Sequence, residues 1–188
     1  MKNRCSWPGD NELMIAYHDN EWGVPEHDDQ RLFEFLILDS AQAGLSWQTI
    51  LNKRENYKAA LDSFDAAKIA KYTDSDRARL MADVGIVRNK LKIDSHIRNA
   101  QVFLDIQNEF GSFGTYLWNF VDGEPIINSF ERLEDLPAKT PLAEEISKDL
   151  KNRGMNFVGP TIIYAIMQSC GMVNDHIVSC FRYTEVQS

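Results

Sequence analysis

One stretch limits the fold more than any other. Residues 32–38 read Leu-Phe-Glu-Phe-Leu-Ile-Leu. Wound as a helix, that run is apolar on nearly every side, and such a helix is stable only when buried. Asp39 follows, three residues after Leu36 and four after Phe35, so it shares their face. Gln42 falls three residues later on the same side. A carboxylate placed there is costly unless it is paired or hydrogen-bonded. Two readings stay open: a helix-end aspartate that reaches water or caps a neighbour, or a recognition carboxylate facing a pocket.

The rest of the chain carries frequent helix starts and stops. Asp28 or Asp29 can cap a helix from Gln30 to Ala43, ended by Gly44. Ser46 starts another, through Ile50 and Tyr57 toward Leu61. Thr73 with Asp76 reads as a capping box for a helix that stops near Gly85. A long helix then carries Ile93, Ile97, Ala100 and Leu104 on one face, and aromatic residues cluster from Phe113 to Phe120. Thr140-Pro141 opens a helix with Leu142, Ile146 and Leu150 at four-residue spacing, closed by Gly154. Gly159-Pro160 opens the last long helix, which runs to Cys170 and ends at Gly171. No stretch alternates with period two, and no turn dipeptide joins two β-branched runs. The expected fold is all-α, with the loops near 122–130 the least patterned.

Composition narrows the class. A chain of 188 residues with 44% hydrophobic and 26% charged residues is expected to form one compact unit, or one core with a small appendage, and not a disordered or low-complexity chain. No window approaches the roughly 20 apolar residues of a membrane span. The basic start has no apolar run behind it and is not a signal peptide. Three cysteines, Cys5, Cys170 and Cys180, are a poor disulfide framework. The protein is expected to be cytoplasmic and, with no sign of association, monomeric. A net charge of −8 excludes holding nucleic acid by overall attraction, so any such partner needs a local basic patch.

Three constellations carry chemistry. Trp7, Trp22 and Trp47 fall in the first quarter of the chain with Tyr17 among them, and His27 and His96 read as surface groups. Flat aromatic faces beside an acceptor suit a planar, electron-poor ligand such as a cationic base, although core packing explains one or two of these rings. Cys5, His18, His176 and Cys180 have metal-ligand chemistry. Two thiolates and two imidazoles are a closed tetrahedral zinc set that leaves no open position, so the metal would be structural and would pin the termini together. His176 and Cys180 stand at i, i+4, which on a helix is one face; the alternative is four unrelated residues. Finally, the segment from Lys151 to Thr161 joins two helices through Gly154 and Gly159-Pro160, with Lys148, Lys151 and Arg153 beside it. Its glycines and helix start suit a phosphate, while a plain capped turn is the alternative.

Long ordered runs turn these readings into a resemblance. Ala16-Tyr-His-Asp-Asn-Glu-Trp-Gly-Val-Pro25, Gln42-Ala-Gly-Leu-Ser-Trp47, Lys53-Arg-Glu-Asn-Tyr57, Phe157-Val-Gly-Pro-Thr161, Met167-Gln168 and Val173-Asn-Asp-His176 resemble the DNA-3-methyladenine glycosylase I family over nearly the whole chain. The resemblance implies a single unit, 1–188, of the helix-hairpin-helix glycosylase superfamily. Its zinc subregion would be built from 1–30 and 171–188, with a helix-hairpin-helix near 142–170. It implies a structural zinc on Cys5, His18, His176 and Cys180.

The implied activity is hydrolysis of the N-glycosidic bond of 3-methyladenine in alkylated double-stranded DNA, after base flipping and with no lyase step. Trp7, Tyr17, Trp22, Gln42 and Trp47 would line the base pocket, and Asp39 would accept from the adenine amine. Phe157, Val158, Gly159 and Thr161 would hold the DNA backbone.

The superfamily's aspartate beyond the hairpin is Asn174 here, as in this family generally, with Asp175 adjacent. Two positions depart from the family pattern: Asp39 stands for glutamate, and Met14 for a tyrosine. Two competing readings are a non-catalytic, zinc-stabilised binder of alkylated DNA and a zinc-stabilised helical interaction module.

Overall fold

The computed structural model describes residues 3–187. Among these it is helical from α1 (Glu12–Asn20) to α11 (Phe181–Glu185), with one minimal parallel strand pair.

The central element is α2 (Asp29–Gln42), started by the Asp28 side chain accepting from Arg31 N. Every residue from Leu32 to Ala41 is buried, as the apolar pattern demands. Glu34 tolerates burial because Arg31 and Arg54 reach it, Arg54 Nε at 2.7 Å. Arg54 also donates twice to Glu21, at 2.9 and 2.8 Å, which locks the end of α1 to this core.

Ser46 caps a helix as expected, but one helix to Leu61 does not form. The segment divides into α3 (Trp47–Leu51) and α4 (Arg54–Ala60). Lys53, at the break, sends its ammonium to the carbonyls of Val84 and Gly85, at 3.3 and 3.1 Å. That distant turn leaves no mark on the local pattern. After α5 (Ala66–Ile69), the Thr73 capping box starts α6 (Asp74–Ala82), which ends at Asp83.

In α7 (Lys90–Phe110), Ile93, Ile97 and Ala100 are buried and Leu104 half-buried. His96 is 1% exposed, not a surface group. It lies within the inward arc of α7, edge-on to Tyr57, and burial pushes its pKa down to about 4, so it is neutral.

Helix α8 (Phe113–Trp118) is tied to the start of α2 by Asp29, which accepts from Phe113 N and Gly114 N at 2.9 and 2.7 Å. The loop near 122–130 contains β1 (Ile126–Ile127), paired in parallel with β2 (Val173–Asn174). Two residues a side, joined across a long crossover, produce no readable alternation.

Thr140 and Pro141 start α9 (Pro141–Arg153), Gly154 ends it at φ +102°, and α10 (Pro160–Ser169) follows. α9 and α10 pack against each other across this turn, and α10 lies against α2. None of the described helices is long and apolar enough to cross a membrane.

Candidate active site and metal cluster

Helix α2 delivers Asp39 to a cavity of about 300 Å³. Trp7, Tyr17, Trp22, Gln42 and Trp47 line it, together with Leu133, Leu136, Ala165, Gln168 and Ser169. The rings form a cage rather than a stack. Trp7 meets Trp22 at 5.3 Å and 68°, and Tyr17 meets Trp47 at 5.1 Å and 48°. Asp39 is 2% exposed and turned inward, so it does not reach bulk water.

Burial pushes the Asp39 carboxyl up to about 8, with Ser169 pulling weakly the other way. Its Oδ2 has no hydrogen-bond partner, and neither do the indole nitrogens of Trp7 and Trp47. A buried acceptor without a donor costs about 1–3 kcal/mol. Two unpartnered donors beside it mark a cavity built for a ligand with its own polar edge. Tyr17 donates to Ser169 Oγ at 3.0 Å, and burial holds its phenol well above the usual range. Met14 is buried in the same apolar cluster as Tyr17 and Trp22 but does not line the cavity.

Ala165, Gln168 and Ser169 escaped the sequence reading. Their spacing on one face of α10 is the signal that marks them. Leu133 and Leu136 come from an irregular loop and carry no such signal.

Cys5, His18, His176 and Cys180 are brought together from both ends of the chain, all buried, with their ligand atoms within 4.8 Å of one another. Cys5 Sγ and Cys180 Sγ lie 3.7 and 3.6 Å from His176 Nδ1, and Cys180 Sγ lies 3.5 Å from His18 Nε2. A tetrahedral zinc with its usual bond lengths has sulfur–nitrogen edges of about 3.6 Å. The outer nitrogens are also oriented: His18 Nδ1 pairs with Asp19 at 2.8 Å, and His176 Nε2 with the Trp22 carbonyl at 3.0 Å. Arg4 in turn clamps Asp19. This is the supporting shell a histidine-bound metal requires, so the donor set fits a metal ion. The neighbouring Cys180 sulfur and burial push the Cys5 thiol up, while Cys5 and the two imidazoles push the Cys180 thiol down.

His176 and Cys180 do not share a helix face. Asn174 Oδ1 accepts from His176 N, and Cys180 caps α11, so a compact turn brings the two together.

In the hairpin, Phe157 adopts φ +55°, a strained conformation for a residue with a side chain. Phe157 and Gly159 are half-buried and Thr161 exposed. Val158 is fully buried and its carbonyl accepts from Ser147 Oγ at 2.6 Å, so only its N–H is free for a ligand. The expected basic patch is smaller than the sequence suggests. Arg153 is bound to Glu109 and Asp149 and sits over the rings of Phe110 and Tyr116. Lys148 and Lys151 are exposed.

Asn174 and Asp175 serve the fold. Asp175 accepts from Asn128, Tyr164 and Gln168 at 2.7, 2.5 and 2.7 Å. Asn174 Nδ2 donates to the Tyr183 carbonyl.

The chain thus combines a helical body, a turn joining α9 to α10, and an aromatic cavity lined in part by α10. The sequence profile of the methyladenine glycosylase family matches residues 7–183, and the chain belongs to that family. It is 46% identical to DNA-3-methyladenine glycosylase 1 of Escherichia coli K12 over 180 residues, 96% of each chain. A crystal structure of 3-methyladenine DNA glycosylase I superposes with TM-score 0.93 at 48% identity, covering 95% of this chain and 98% of that one. The Staphylococcus aureus enzyme, described in a study of its 3-methyladenine recognition, superposes with TM-score 0.92 at 36% identity, covering 96% of both.

Proposed function

We propose that this protein removes 3-methyladenine from alkylated double-stranded DNA by hydrolysing the N-glycosidic bond, leaving an abasic site without a lyase step. The reading rests above all on Asp39 Oδ2, a buried acceptor with no partner inside an aromatic cage. The target base must leave the stack to reach such a slot. Methylation at N3 gives the base a positive charge, which suits the ring faces of Trp7, Tyr17, Trp22 and Trp47. The Asp39 carboxylate accepts from the exocyclic amine, with Gln42 beside it. Phe157, Val158, Gly159 and Thr161 hold the backbone through the hairpin's N–H groups.

The charged base is a good leaving group, so the pocket needs little catalytic machinery. An anionic Asp39 favours the cationic base more before bond cleavage than after it, when the base departs neutral. Asp39 therefore selects substrate rather than lowering the barrier. Aspartate reaches one methylene less far than the glutamate usual in the family, and a bridging water can span the gap. The satisfied Asp175 provides no general base.

The chain acts as one unit and as a monomer. Residues 1–30 and 171–188 clasp the termini around a zinc ion bound by Cys5, His18, His176 and Cys180, and the helix-hairpin-helix lies near 142–170. The ion supplies structure only. The three unpaired thiols suit the cytoplasm, a reducing compartment.

The test is chromatography of the bases released from methylated DNA. Native protein and Asp39→Glu are expected to release 3-methyladenine, and Asp39→Asn to do so poorly, mainly through a raised KM. Binding without release by the native protein would move the reading to a non-catalytic damage binder.

A further inference from the structure

A second concavity lies outside the base cavity. Leu91, Asp94, Ser95 and Arg98 of α7 face Asn156 and Phe157 of the hairpin across a groove of about 520 Å³. The four α7 positions form one helical face, and α7 itself connects the two halves of the site. At one end Lys92 donates to the carbonyls of Ala41 and Ala43, both at 2.7 Å, and so fixes the loop between Gln42 and Trp47. At the other end Arg98 Nε donates to the Gly154 carbonyl at 3.1 Å. Asn99 exchanges two hydrogen bonds of 2.9 Å with the Asn156 backbone.

The charge of the groove is favourable although that of the chain is not. Arg98 is exposed, and among the described residues its terminal nitrogens donate to no protein acceptor. Arg88 and Lys90 are exposed at the start of α7, and Lys151 is exposed near Gly154. Asp94 is neutralised by Arg77 at 2.9 Å. Leu91, 67% exposed, offers an apolar wall to a sugar. Among the described residues, the N–H groups of Val158, Gly159 and Thr161 donate to no protein acceptor.

We propose that this groove seats the phosphodiester backbone of the strand whose base enters the cavity, with Arg98 holding one of its phosphates. The proposal rests on the DNA glycosylase reading above. It supplies local cations where a chain of charge −8 must grip a polyanion.

The test is the salt dependence of DNA affinity, measured with the full-length protein on a duplex carrying a stable abasic-site analogue and on an undamaged one. Each neutralised phosphate adds about 0.9 to the slope of log affinity against log salt. Arg98→Ala is expected to flatten the slope by about that amount and Arg98→Lys to restore it. Lys68→Ala, on α5, is expected to leave it unchanged. Thermal unfolding separates a phosphate contact from mere support of the Gly154 carbonyl. Should Arg98→Ala lower the Tm but keep the native slope, Arg98 is a prop and the proposal is overturned. A steep native slope matched by Arg98→Ala overturns the groove alone. A native protein without salt-dependent DNA affinity overturns both the groove and the glycosylase reading.

Discussion

The Cys/His cluster and the aromatic cavity share a wall, yet treat their buried polar atoms in opposite ways. Trp22 belongs to both. Its indole stands 4.6 Å from the His176 ring, its carbonyl accepts from His176, and its ring lines the cavity. On the cluster side, His18 leans on Asp19, Asp19 on Arg4, and His176 on Trp22. On the cavity side, Asp39 Oδ2 and two indole N–H groups have no partner at all. Satisfied groups stabilise a fold, whereas unsatisfied ones destabilise it unless a ligand completes them. The same few residues thus hold the chain ends together and leave a chemical gap next door.

The largest effect expected from breaking this contrast comes from the cluster. With free zinc about 1,000-fold above its Kd, the bound ion contributes roughly 4 kcal/mol. Chelation, or Cys180→Ser, should lower the unfolding temperature markedly, and elemental analysis of native protein should find about one zinc per chain. Unfolding unaffected by chelation, in protein verified as metal-free, would refute the clasp.

The cavity should respond in the other direction. Burial raises the Asp39 carboxyl from 3.8 to about 8. Between those values the folded protein keeps a proton that the unfolded chain has released. Stability is therefore greatest below the lower value, falls as pH rises through the window, and is flat above about 8. An asparagine side chain cannot titrate, so Asp39→Asn removes that slope. Near pH 8 the variant should be more stable than the native chain by roughly 5 kcal/mol, about four pH units at 1.36 kcal/mol each, with the gain vanishing near pH 4 and excision poor throughout. Denaturant melts across this pH range check it; a variant less stable than native at pH 8 contradicts the picture of a destabilising, function-bearing carboxyl.

How far each region could be read in advance follows from the range of its interactions. Helix starts at Asp28, Ser46, Thr73 and Thr140 are legible because the cap and its hydrogen-bond partner lie three residues apart. The buried run around Leu36 also speaks through its own pattern. The break at Lys53, the pairing of Ile126 with Val173, and the burial of His96 depend on partners distant in sequence. In the site, the four Cys and His residues of the buried cluster and the aromatic wall are legible by residue type and resemblance. Leu133 and Leu136 are not, because an irregular loop places them. Arg153 misled, since Glu109 on α7, which engages its charge, is far away in the chain.

The smallest effect probes the one donor that tempers Asp39. Ser169 pulls the carboxyl down against its desolvation, and also accepts from Tyr17. Ser169→Ala removes both functions at once. Losing the acceptor for a buried phenol should cost about 1 kcal/mol in stability. Losing the donor should raise the carboxyl further, because burial then acts unopposed. Substrate selection needs the ionised form, so kcat/KM on 3-methyladenine in DNA should climb with pH toward about 8 in the native chain and reach its plateau at higher pH in Ser169→Ala. Asp39→Asn should show no such climb. If the profile of Ser169→Ala instead moves toward acid, Ser169 is not a donor to Asp39, and some other group must set the ionisation of the cavity.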